Sequence, residues 1–507
     1  MFGRERICVV VAEKTAALAL AAFRRVTRHP RTLKGSSTIE LRLDWLSNSR
    51  EIDSLLRRLR VDRKKSCVIA TLRRRAAGGK YSGGLREQML LLKRAAEGGC
   101  AWCDVEVESA ERVASAALKE LRRAGARIMI SFHNFRATPQ NLGSVVRRLE
   151  RCDGEAIKIA AHAQTIGDSV RLLSIARRRR NVVALPMGDV GLPARVLALR
   201  SGSALAYAAA NEATAPGQLS LAQMRGTFRA EKLNHRTRVY GVIGNPIAHS
   251  LSPLMHNAAF AARRINAALL PFLVGDLKDF LAACPALGVK GFAVTLPHKQ
   301  AIISHLDGCD PLASRIGAVN TVVVRSNRGL YGYNTDYVGV LRALSSRMEL
   351  KGSRVLLLGA GGAARAAAFA LAEAGAIVSI CARREEKATS LARAVGAATI
   401  ARRDLKREFF DAIMNATPVG MHHTDESPLR GEELNCRVVM DMIYRPMRTK
   451  LLNLAERRCL EIVSGVEMFI AQGIAQWEIW MGERAPVETM RKVALAALRR
   501  GETSATR

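Results

Sequence analysis

The chain of 507 residues exceeds the size at which one hydrophobic core keeps growing, so at least two domains are expected. Its hydrophobic fraction of 49% excludes a disordered protein, and no apolar run reaches the roughly 18 residues that a membrane span needs. The formal net charge of +34 is spread over both halves, which favours solvated helix faces and leaves polyanion binding as an alternative. Because the N-terminus lacks the layout of a signal peptide, a cytoplasmic location is expected.

The ten cysteines are scattered along the chain. Cys100 and Cys103 form a lone C-x-x-C that has no second pair to complete a zinc site and that continues into a strand-like segment. We therefore expect structural thiols in a reducing compartment, and no metal site.

Short apolar segments alternate with amphipathic, Arg-rich stretches up to about residue 225. Eight strands in about 220 residues, separated by helices, predict a (β/α)8 barrel with its active site at the C-terminal strand ends. The polar, unpatterned residues 226–238 are a predicted linker. The eight predicted strands begin at Ile7, Thr38, Cys67, Trp102, Arg127, Ala156, Asn181 and Ala204.

Two residues on neighbouring barrel strands form a candidate catalytic pair. Lys158 lies between apolar residues in AIKIAA, and a buried, neutral lysine amine can attack a ketone to form a Schiff base. His133 ends the preceding strand, where a histidine is a candidate general acid and base. Each residue alone is more often structural, but the two together favour catalysis. Candidate anion-binding groups at other strand ends are Glu40, Arg42, Arg73 and Arg195, and the turn 215–218 follows the last strand.

A second βα series opens after the linker, and it contains a nucleotide-binding pattern. The segment from Arg354 to Arg383 predicts a strand, a Gly-rich turn, a helix and a second strand, typical of a dinucleotide-binding unit. A tight turn without a cofactor is the alternative. The second strand ends at Arg383 and Arg384, where an NAD-binding unit usually carries an acid, so NADP is favoured. The G-x-G-x-x-A turn comprises Gly359, Ala360, Gly361, Gly362, Ala363 and Ala364.

Polar residues also gather on loops at strand ends of this half. Their hydroxyls, amide, cation and carboxylate can bind a small polyhydroxy acid and move a proton at an alcohol carbon. A surface Lys–Asp pair is the alternative for two of them. The residues are Ser250, Ser252, Thr295, Lys299, Asn320 and Asp336.

Residues 239–500 resemble shikimate dehydrogenase in an ordered series of motifs. These are S-L-S-P at 250–253, V-T-L-P-H-K at 294–299, A-V-N-T at 318–321, N-T-D at 334–336, G-A-G-G-A-A-R at 359–365, N-A-T-P-V-G-M at 415–421, D-M-I-Y at 441–444 and G-V-E-M-F-I-A-Q at 465–472. The resemblance implies that Lys299 donates a proton to the carbonyl oxygen with Asp336 as its partner. It further implies carboxylate binding by Ser250 and Ser252, ring-hydroxyl contacts from Thr295, Asn320, Tyr444 and Gln472, and NADP contacts from Arg383, Thr417, Met442 and Gly465.

Two positions depart from that family. Ala293 stands where the family often has Asn before V-T, which would loosen a local loop. Ala382-Arg383-Arg384 replaces N-R-T at the adenosine phosphate, which bears on discrimination between the cofactors.

Residues of about 5–225 resemble type I 3-dehydroquinate dehydratase. The resemblance implies that Lys158 forms an imine with the substrate and that His133 removes and returns protons. Ala77 stands where the family has a Glu thought to orient the His, which leaves a barrel with weakened dehydratase activity as an alternative. Thr214 replaces a common Ser and keeps its hydroxyl. The implied substrate contacts are Glu40, Arg42, Arg73, Arg195, Thr214 and Gln218.

The two resemblances occur in pathway order, because the product of the first reaction is the substrate of the second. We therefore expect a bifunctional enzyme of aromatic amino acid biosynthesis that acts on small molecules, with NADP as cofactor and an oligomeric state that the sequence does not reveal. The fold class expected is α/β, a (β/α)8 barrel followed by a two-lobed dehydrogenase with a Rossmann domain. The predicted boundaries are 1–225 for the barrel, 226–238 for the linker, 239–345 with 466–507 for the substrate-binding domain, and 346–465 for the Rossmann domain.

Overall fold

The structure is a computed structural model that describes residue 2 and residues 5–28, 32, 36–62, 64–179, 181–210, 217–421 and 423–505, the last six by backbone alone. The chain separates into two compact units. The first holds Met1–Arg238 and Asn266–Gly288, and the second holds Val239–Ile265 and Val289–Arg507. Within the described ranges, no helix combines the length and apolar character that a membrane crossing requires.

Eight parallel strands form the centre of the first unit, and most of their residues are buried, as expected of strands covered on both faces. The strands are β1 (Ile7–Val11), β2 (Thr38–Arg42), β3 (Cys67–Thr71), β4 (Trp102–Glu106), β5 (Arg127–Asn134), β6 (Ala156–His162), β7 (Val182–Met187) and β8 (Ala206–Ala209). They pair in the order β7–β6–β5–β4–β3–β2–β1–β8, and the Ala204 amide donates to the Val182 carbonyl at 2.8 Å where the ends of the sheet meet. The predicted (β/α)8 barrel is confirmed as a nearly closed barrel.

Helices connect successive barrel strands and cover the outside of the sheet. They are α1 (Ala16–Arg28), α2 (Ser49–Arg58), α3 (Leu85–Glu97), α4 (Val107–Ala110), α5 (Ser115–Arg123), α6 (Leu142–Glu150), α7 (Ile166–Arg177) and α8 (Leu192–Leu197). Thr165 and Asp168 form a capping box at the start of α7, which satisfies backbone amides that have no partner within the helix. The predicted linker contains one short 3-10 turn at Ala230–Lys232. A π-helical turn at Gln223–Thr227 precedes this 3-10 turn and extends into the first residues of the linker.

The second half begins with β9 (Arg238–Gly244), α9 (Ser252–Ala262), β10 (Ala267–Leu273) and α10 (Leu277–Leu287). Of these, β10 and α10 group with the barrel. Asp279 on α10 accepts hydrogen bonds from the amides of Ile166 at 2.6 Å and Gly167 at 3.0 Å, at the positive end of the α7 dipole. This cap explains part of the association of the segment with the barrel unit.

The second unit contains a mixed sheet in the order β9–β11–β13–β14–β12, in which β13 runs antiparallel to both β11 and β14. Its further elements are β11 (Val289–Val294), β12 (Gly308–Cys309), α11 (Pro311–Ile316), β13 (Thr321–Val324), β14 (Leu330–Tyr333) and α12 (Asp336–Ser345). The loops after β9 and β11 and the start of α12 carry four of the predicted site residues, Ser250, Thr295, Lys299 and Asp336.

A fully parallel sheet in the order β17–β16–β15–β18–β19–β20 completes the second unit. Its elements are β15 (Arg354–Leu358), α13 (Gly362–Glu373), β16 (Ile377–Cys381), α14 (Glu385–Val395), β17 (Ala398–Thr399), β18 (Phe410–Asn415), β19 (Cys436–Asp441), α15 (Lys450–Arg457) and β20 (Glu461–Ser464), followed by α16 (Gly465–Met481) and α17 (Val487–Ala505). The strand order reverses between β15 and β18, as in dinucleotide-binding folds. The predicted Rossmann domain is confirmed.

Candidate active sites

Lys158 lies in the middle of β6 and points into the barrel. Alternate residues of a strand share a face, and Ala156, two residues earlier, belongs to the interior core. The Lys158 side chain is 3% exposed, and its Nζ donates to Glu40 Oε1 at 2.9 Å and to Asp104 Oδ2 at 3.0 Å. Strands β2, β4 and β6 thus bring one cation and two carboxylates together in the barrel interior.

Glu40 contacts the candidate imine-forming lysine directly. Its Oε1 also accepts a hydrogen bond from the Thr71 hydroxyl on β3 at 2.7 Å. Burial alone would raise the pKa of the Glu40 carboxyl, but the Lys158 ammonium and the guanidinium groups of Arg42 and Arg73 outweigh burial and lower this pKa to about 2. Glu40 is therefore ionised at neutral pH and is a fixed partner for the lysine.

Asp104 is a site residue that the sequence patterns do not single out. Its Oδ1 accepts a hydrogen bond from the Ser131 hydroxyl at 2.5 Å, and its Oδ2 lies 3.4 Å from Arg73 Nη2. The signal that could have identified it is the period of two along β4, because Asp104 follows the inward-facing Trp102 by two residues. An acid on the inner face of a barrel strand needs a buried cation, and Lys158 is that cation.

His133 follows, by two residues, the β5 residue that pairs with Lys158 in the β5–β6 register. The two side chains therefore project from neighbouring strands on the same face. Burial, with a further contribution from nearby cations led by Arg73, lowers the pKa of His133 well below its ordinary value. Its Nδ1 is buried and makes no hydrogen bond to any residue that the structure describes. The imidazole is thus neutral at pH 7 and able to accept a proton.

The three arginines predicted for substrate binding are all buried in the barrel. Arg42 pairs with Asp44 through two hydrogen bonds, from Nε at 2.9 Å and from Nη2 at 2.8 Å. Arg195 on α8 donates from Nε to the Pro186 carbonyl at 2.7 Å, and burial lowers its pKa to about 10. Together with Arg73, they give the site a positive character that suits a carboxylate-bearing substrate.

The turn that carries Ala77 lies beside the histidine. Gly78, which follows Ala77, has a φ of 75°, and a Cβ there would lie 2.1 Å from the Phe135 ring. The Phe135 ring in turn stacks on His133 with centroids 6.1 Å apart. Ala77 directly precedes this glycine, and its methyl group carries no hydrogen-bond acceptor for the imidazole. Gln218, a predicted substrate contact, directly follows Gly217. Thr214, another predicted substrate contact, lies outside the described residues.

Lys299 and Asp336 form the centre of the second site. Lys299 Nζ donates to Asp336 Oδ2 at 2.6 Å, with the side chains 23% and 9% exposed. Asn320 donates from Nδ2 to Asp336 Oδ1 at 2.8 Å and to Thr335 Oγ1 at 3.0 Å. Both carboxylate oxygens of Asp336 are thus engaged, so the lysine is held at a fixed position with part of its ammonium group open to solvent.

The remaining predicted substrate residues lie on elements that surround this pair. Ser252 is the first residue of α9, and its amide lies 3.4 Å from the Ser250 hydroxyl. The Thr295 methyl group lies beside Gly244 at the end of β9, since a Cβ on this glycine would be 2.5 Å away. These positions place polar groups on the loops that follow β9 and β11, as the sequence predicts.

Helix α16 carries or contacts the two remaining predicted substrate residues. Gln472 is buried and packs close to α12, because a Cβ on Gly339 would lie 3.4 Å from the Gln472 Cβ. Tyr444, after β19, stacks on Phe469 of α16 with ring centroids 4.6 Å apart, and burial raises the pKa of its hydroxyl. A neutral phenol and an amide are suitable partners for substrate hydroxyls.

One turn after Ser252, His256 is fully buried, and burial lowers its pKa to about 4 despite an opposing contribution from Gln476. The unfolded chain binds a proton at about pH 6.5, so stability is lost as pH falls from that value toward 4. We expect protonation of His256 to lower the free energy of unfolding by about 3 kcal/mol as the pH falls over that interval. Urea unfolding of the second unit at several pH values should show this loss in the wild type and not in His256→Gln. An unchanged pH dependence in His256→Gln would contradict the assignment, and exposed His235→Gln is the control.

The Gly-rich turn after β15 leaves room for a ligand. Gly359 has a φ of 111°, a conformation that L side chains rarely adopt. Cβ atoms added to Gly361 and Gly362 would meet nothing within 4 Å, so the backbone at the start of α13 is open. The amide groups at this helix N-terminus can receive a pyrophosphate.

The end of β18 lies beside this turn, and the ends of β19 and β20 contact each other. The Thr417 methyl group would be 3.2 Å from a Cβ on Gly359, and the Thr417 amide donates to Asn415 Oδ1 at 3.0 Å. Gly465 contacts the backbone after β19, because a Cβ there would lie 2.5 Å from the Met442 carbonyl oxygen. Thr417 therefore lies with the Gly-rich turn at the point where the strand order reverses, which is where such folds bind dinucleotides.

Arg383 and Arg384 follow β16 and are exposed. Exposed guanidinium groups at this strand end match a ribose 2′-phosphate, and an acid that would repel the phosphate is absent from positions 381–384. The site therefore fits NADP.

Comparisons with known proteins agree with both halves of the molecule. Family models match as type I 3-dehydroquinase over residues 7–235, as the shikimate dehydrogenase substrate binding domain over residues 242–322, and as the shikimate 5'-dehydrogenase C-terminal domain over residues 465–495. A relative from Arabidopsis thaliana, the chloroplastic bifunctional 3-dehydroquinate dehydratase/shikimate dehydrogenase, is 34% identical over 482 residues, covering 90% of this chain and 79% of the relative.

The second half also matches monofunctional proteins. The shikimate dehydrogenase (NADP(+)) of Moorella thermoacetica is 44% identical over 278 residues, covering 52% of this chain and 94% of that protein. A crystal structure of a shikimate dehydrogenase in complex with NADP+ is 37% identical with a TM-score of 0.50, covering 52% of this chain and 97% of that one.

Proposed function

Because the chain belongs to the family of bifunctional 3-dehydroquinate dehydratase/shikimate dehydrogenases, we propose how its own residues perform the two reactions. It is both a lyase that converts 3-dehydroquinate to 3-dehydroshikimate and an NADP-dependent oxidoreductase that reduces 3-dehydroshikimate to shikimate. These are successive steps of the shikimate pathway. We propose the roles of the individual residues and the Schiff base. We also propose the domain boundaries given above, with the barrel at 1–225 and the Rossmann domain at 346–465.

Lys158 forms an imine with the substrate ketone in the proposed dehydratase mechanism. Its ammonium group first gives a proton to Asp104, whose Oδ2 lies 3.0 Å from Nζ, while Glu40 stays ionised. The Nζ lone pair then attacks the carbonyl carbon, and the carbonyl oxygen leaves as water after it has gained two protons. The protonated imine that results draws electrons from the adjacent carbon.

His133 moves the protons of the elimination. The neutral imidazole takes a proton from the carbon next to the imine, and the electron pair shifts toward the imine nitrogen. The hydroxyl group on the following carbon then leaves with the proton that His133 returns, so that one water is lost. Hydrolysis of the imine by a second water frees Lys158 and releases the product. The arginines 42, 73 and 195 are proposed to bind the substrate, together with Gln218 and Thr214.

The observation that carries this half of the proposal is the buried Lys158 between two carboxylates, with His133 on the neighbouring strand. Borohydride reduction in the presence of 3-dehydroquinate tests it. The intact chain should gain the mass of one reduced substrate, and peptide mapping should place the added mass on Lys158. Adduct formation at another lysine would contradict the assignment.

Lys299 donates the proton in the proposed reductase mechanism. NADPH, when bound, supplies the hydride to the carbonyl carbon. Lys299 lies where it can give a proton from Nζ to the carbonyl oxygen, and Asp336 keeps the amine in place through their 2.6 Å contact. Ser250 and Ser252 are proposed to bind the substrate carboxylate. Thr295, Asn320, Tyr444 and Gln472 are proposed to bind the ring hydroxyls.

Arg383 is proposed to bind the 2′-phosphate of NADP, with Arg384 beside it. Losing a charge-assisted hydrogen bond costs about 1.5–3 kcal/mol, so we expect Arg383→Ala to raise the KM for NADPH by about tenfold or more and to leave the KM for NADH unchanged. Steady-state reduction of 3-dehydroshikimate with each cofactor measures this effect. Arg393→Ala, at an exposed position of α14, is the matched control. Equal changes for both cofactors would contradict the role.

A cytoplasmic location is also proposed. No disulfide bond joins the cysteines of the described residues, which supports a reducing compartment. The relative from Arabidopsis thaliana is named as chloroplastic, and that description concerns that protein.

A further inference from the structure

Tyr207 contributes an aromatic face to the site of the buried lysine. It lies on β8, is 5% exposed and belongs to the interior core of the barrel. Lys158 Nζ lies 4.5 Å from the centroid of the Tyr207 ring. The mechanism proposed above does not use this side chain, although it is one of the groups that contact the reacting amine.

The ring face is an electrostatic partner for the charged amine. Aromatic rings carry partial negative charge on their faces, and a cation within about 6 Å of the centroid is attracted more strongly when water is excluded. Burial, with a further contribution from Glu40, raises the pKa of the Tyr207 hydroxyl well above its ordinary value. The phenol is therefore neutral, and its effect on the amine comes from the ring.

Several other groups face Lys158 from the neighbouring strands, and they act in opposite directions. The carboxylates of Glu40 and Asp104 favour the charged amine. Arg42 and Arg73, which act on Glu40 and His133 in the same site, carry the same charge as the amine and oppose it, whereas His133 is neutral. The Cys8 thiol on β1 is kept neutral because burial raises its pKa well above the ordinary value.

We propose that Tyr207 is a positioning residue for imine formation, whose ring face stabilises the charged form of Lys158 and fixes Nζ between the two carboxylates. This inference rests on the proposed role of Lys158 as the imine former. The interaction couples β8 to the chemistry on β6, because the ring contributes both to the location of the amine and to the pH at which the amine becomes a nucleophile.

The test is the pH profile of imine trapping. The full chain is incubated with 3-dehydroquinate and cyanoborohydride between about pH 5 and pH 10, and adduct formation is followed by intact mass. Removal of the ring in Tyr207→Leu should lower the pH of half-maximal trapping by about one unit, because the charged amine loses its aromatic partner. Tyr207→Phe keeps the ring and should reproduce the wild-type profile. Leu205→Ala, two residues earlier in the same core, controls for looser packing and should leave the midpoint unchanged.

The outcomes separate the two proposals. If the wild type forms no adduct on Lys158, the proposed function of the barrel fails. If the wild type traps substrate but Tyr207→Leu has the same midpoint, the role of Tyr207 is refuted. Should Tyr207→Leu not fold, pentafluorophenylalanine at position 207 reverses the charge of the ring face at nearly the same shape. It should also lower the midpoint, and an unchanged midpoint would overturn the inference.

Discussion

Lys158→Ala abolishes dehydration of 3-dehydroquinate and borohydride trapping, and it leaves the reduction of 3-dehydroshikimate intact. Without the amine there is no imine to accept electrons from the adjacent carbon, so we expect the dehydratase kcat to fall by about four orders of magnitude or more. The formation of the conjugated enone product is measured by its absorbance, and the second activity is measured by NADPH oxidation in the same preparation.

The substitution also has an expected cost in stability. Removing Lys158 takes away the one cation that contacts both Glu40 and Asp104 and leaves Asp104 with Arg73 at 3.4 Å, and breaking such a buried cluster costs about 3–5 kcal/mol. Lys158→Arg separates the two effects, because it keeps the positive charge and cannot form the imine. Lys119→Ala, at an exposed lysine of α5, is the matched control and should trap substrate as the wild type does. Trapping by Lys158→Arg at the wild-type rate would refute the imine assignment.

Lys299→Ala lowers shikimate oxidation by about 10²–10⁴-fold, the range expected when a positioned proton donor or acceptor is lost. The proposed cofactor residues lie on the loops after β15, β16, β18 and β19 and at the starts of α13 and α16, so NADPH binding should survive. Shikimate oxidation by the variant gives the first quantity, and fluorescence titration with NADPH gives the second.

The control for this variant is Lys290→Ala, which removes an exposed lysine from β11. It should retain wild-type turnover, and the dehydratase activity of both variants should be unchanged. Wild-type turnover in Lys299→Ala would exclude this residue as the proton donor. Loss of NADPH binding in the same variant would instead show that the substitution disrupts the second unit.

The fold can be predicted from local patterns in the sequence. Apolar runs of about five residues at regular spacing locate all eight barrel strands, and the G-x-G-x-x-A turn locates β15 and α13. The predicted pair of Lys158 and His133 also lies on one face of neighbouring strands. These features depend on residues close together in the sequence.

Features that depend on distant pairings are harder to predict. In the sequence, Asp104 is one of several alternating acids in WCDVEVE. Only the register of the barrel strands brings its Oδ2 to 3.0 Å from Lys158 Nζ. Arg42 is expected at the substrate, and the structure pairs it with Asp44, two residues away. The aromatic contact of Tyr207 with Lys158 spans β6 and β8, which no local pattern connects.

Placement of whole segments is equally hard to predict. Residues 266–288 continue the second βα series in sequence but group with the barrel unit, in part because Asp279 caps α7. The predicted linker lacks hydrophobic periodicity, and yet it contains the short helical turn at Ala230–Lys232. In the first case the deciding contacts join residues that are distant in sequence. In the second case the segment is too short to show a hydrophobic period.

One chain performs both steps, and a coupled assay tests this directly. The purified wild-type chain is given 3-dehydroquinate and NADPH, and NADPH absorbance and shikimate are followed together. We predict a short lag while 3-dehydroshikimate accumulates, and then oxidation of NADPH in equal molar amount to the shikimate formed. Oxidation of NADPH with added 3-dehydroshikimate but none with 3-dehydroquinate would contradict the assignment of both activities to this chain. It would show a working dehydrogenase joined to an inactive barrel.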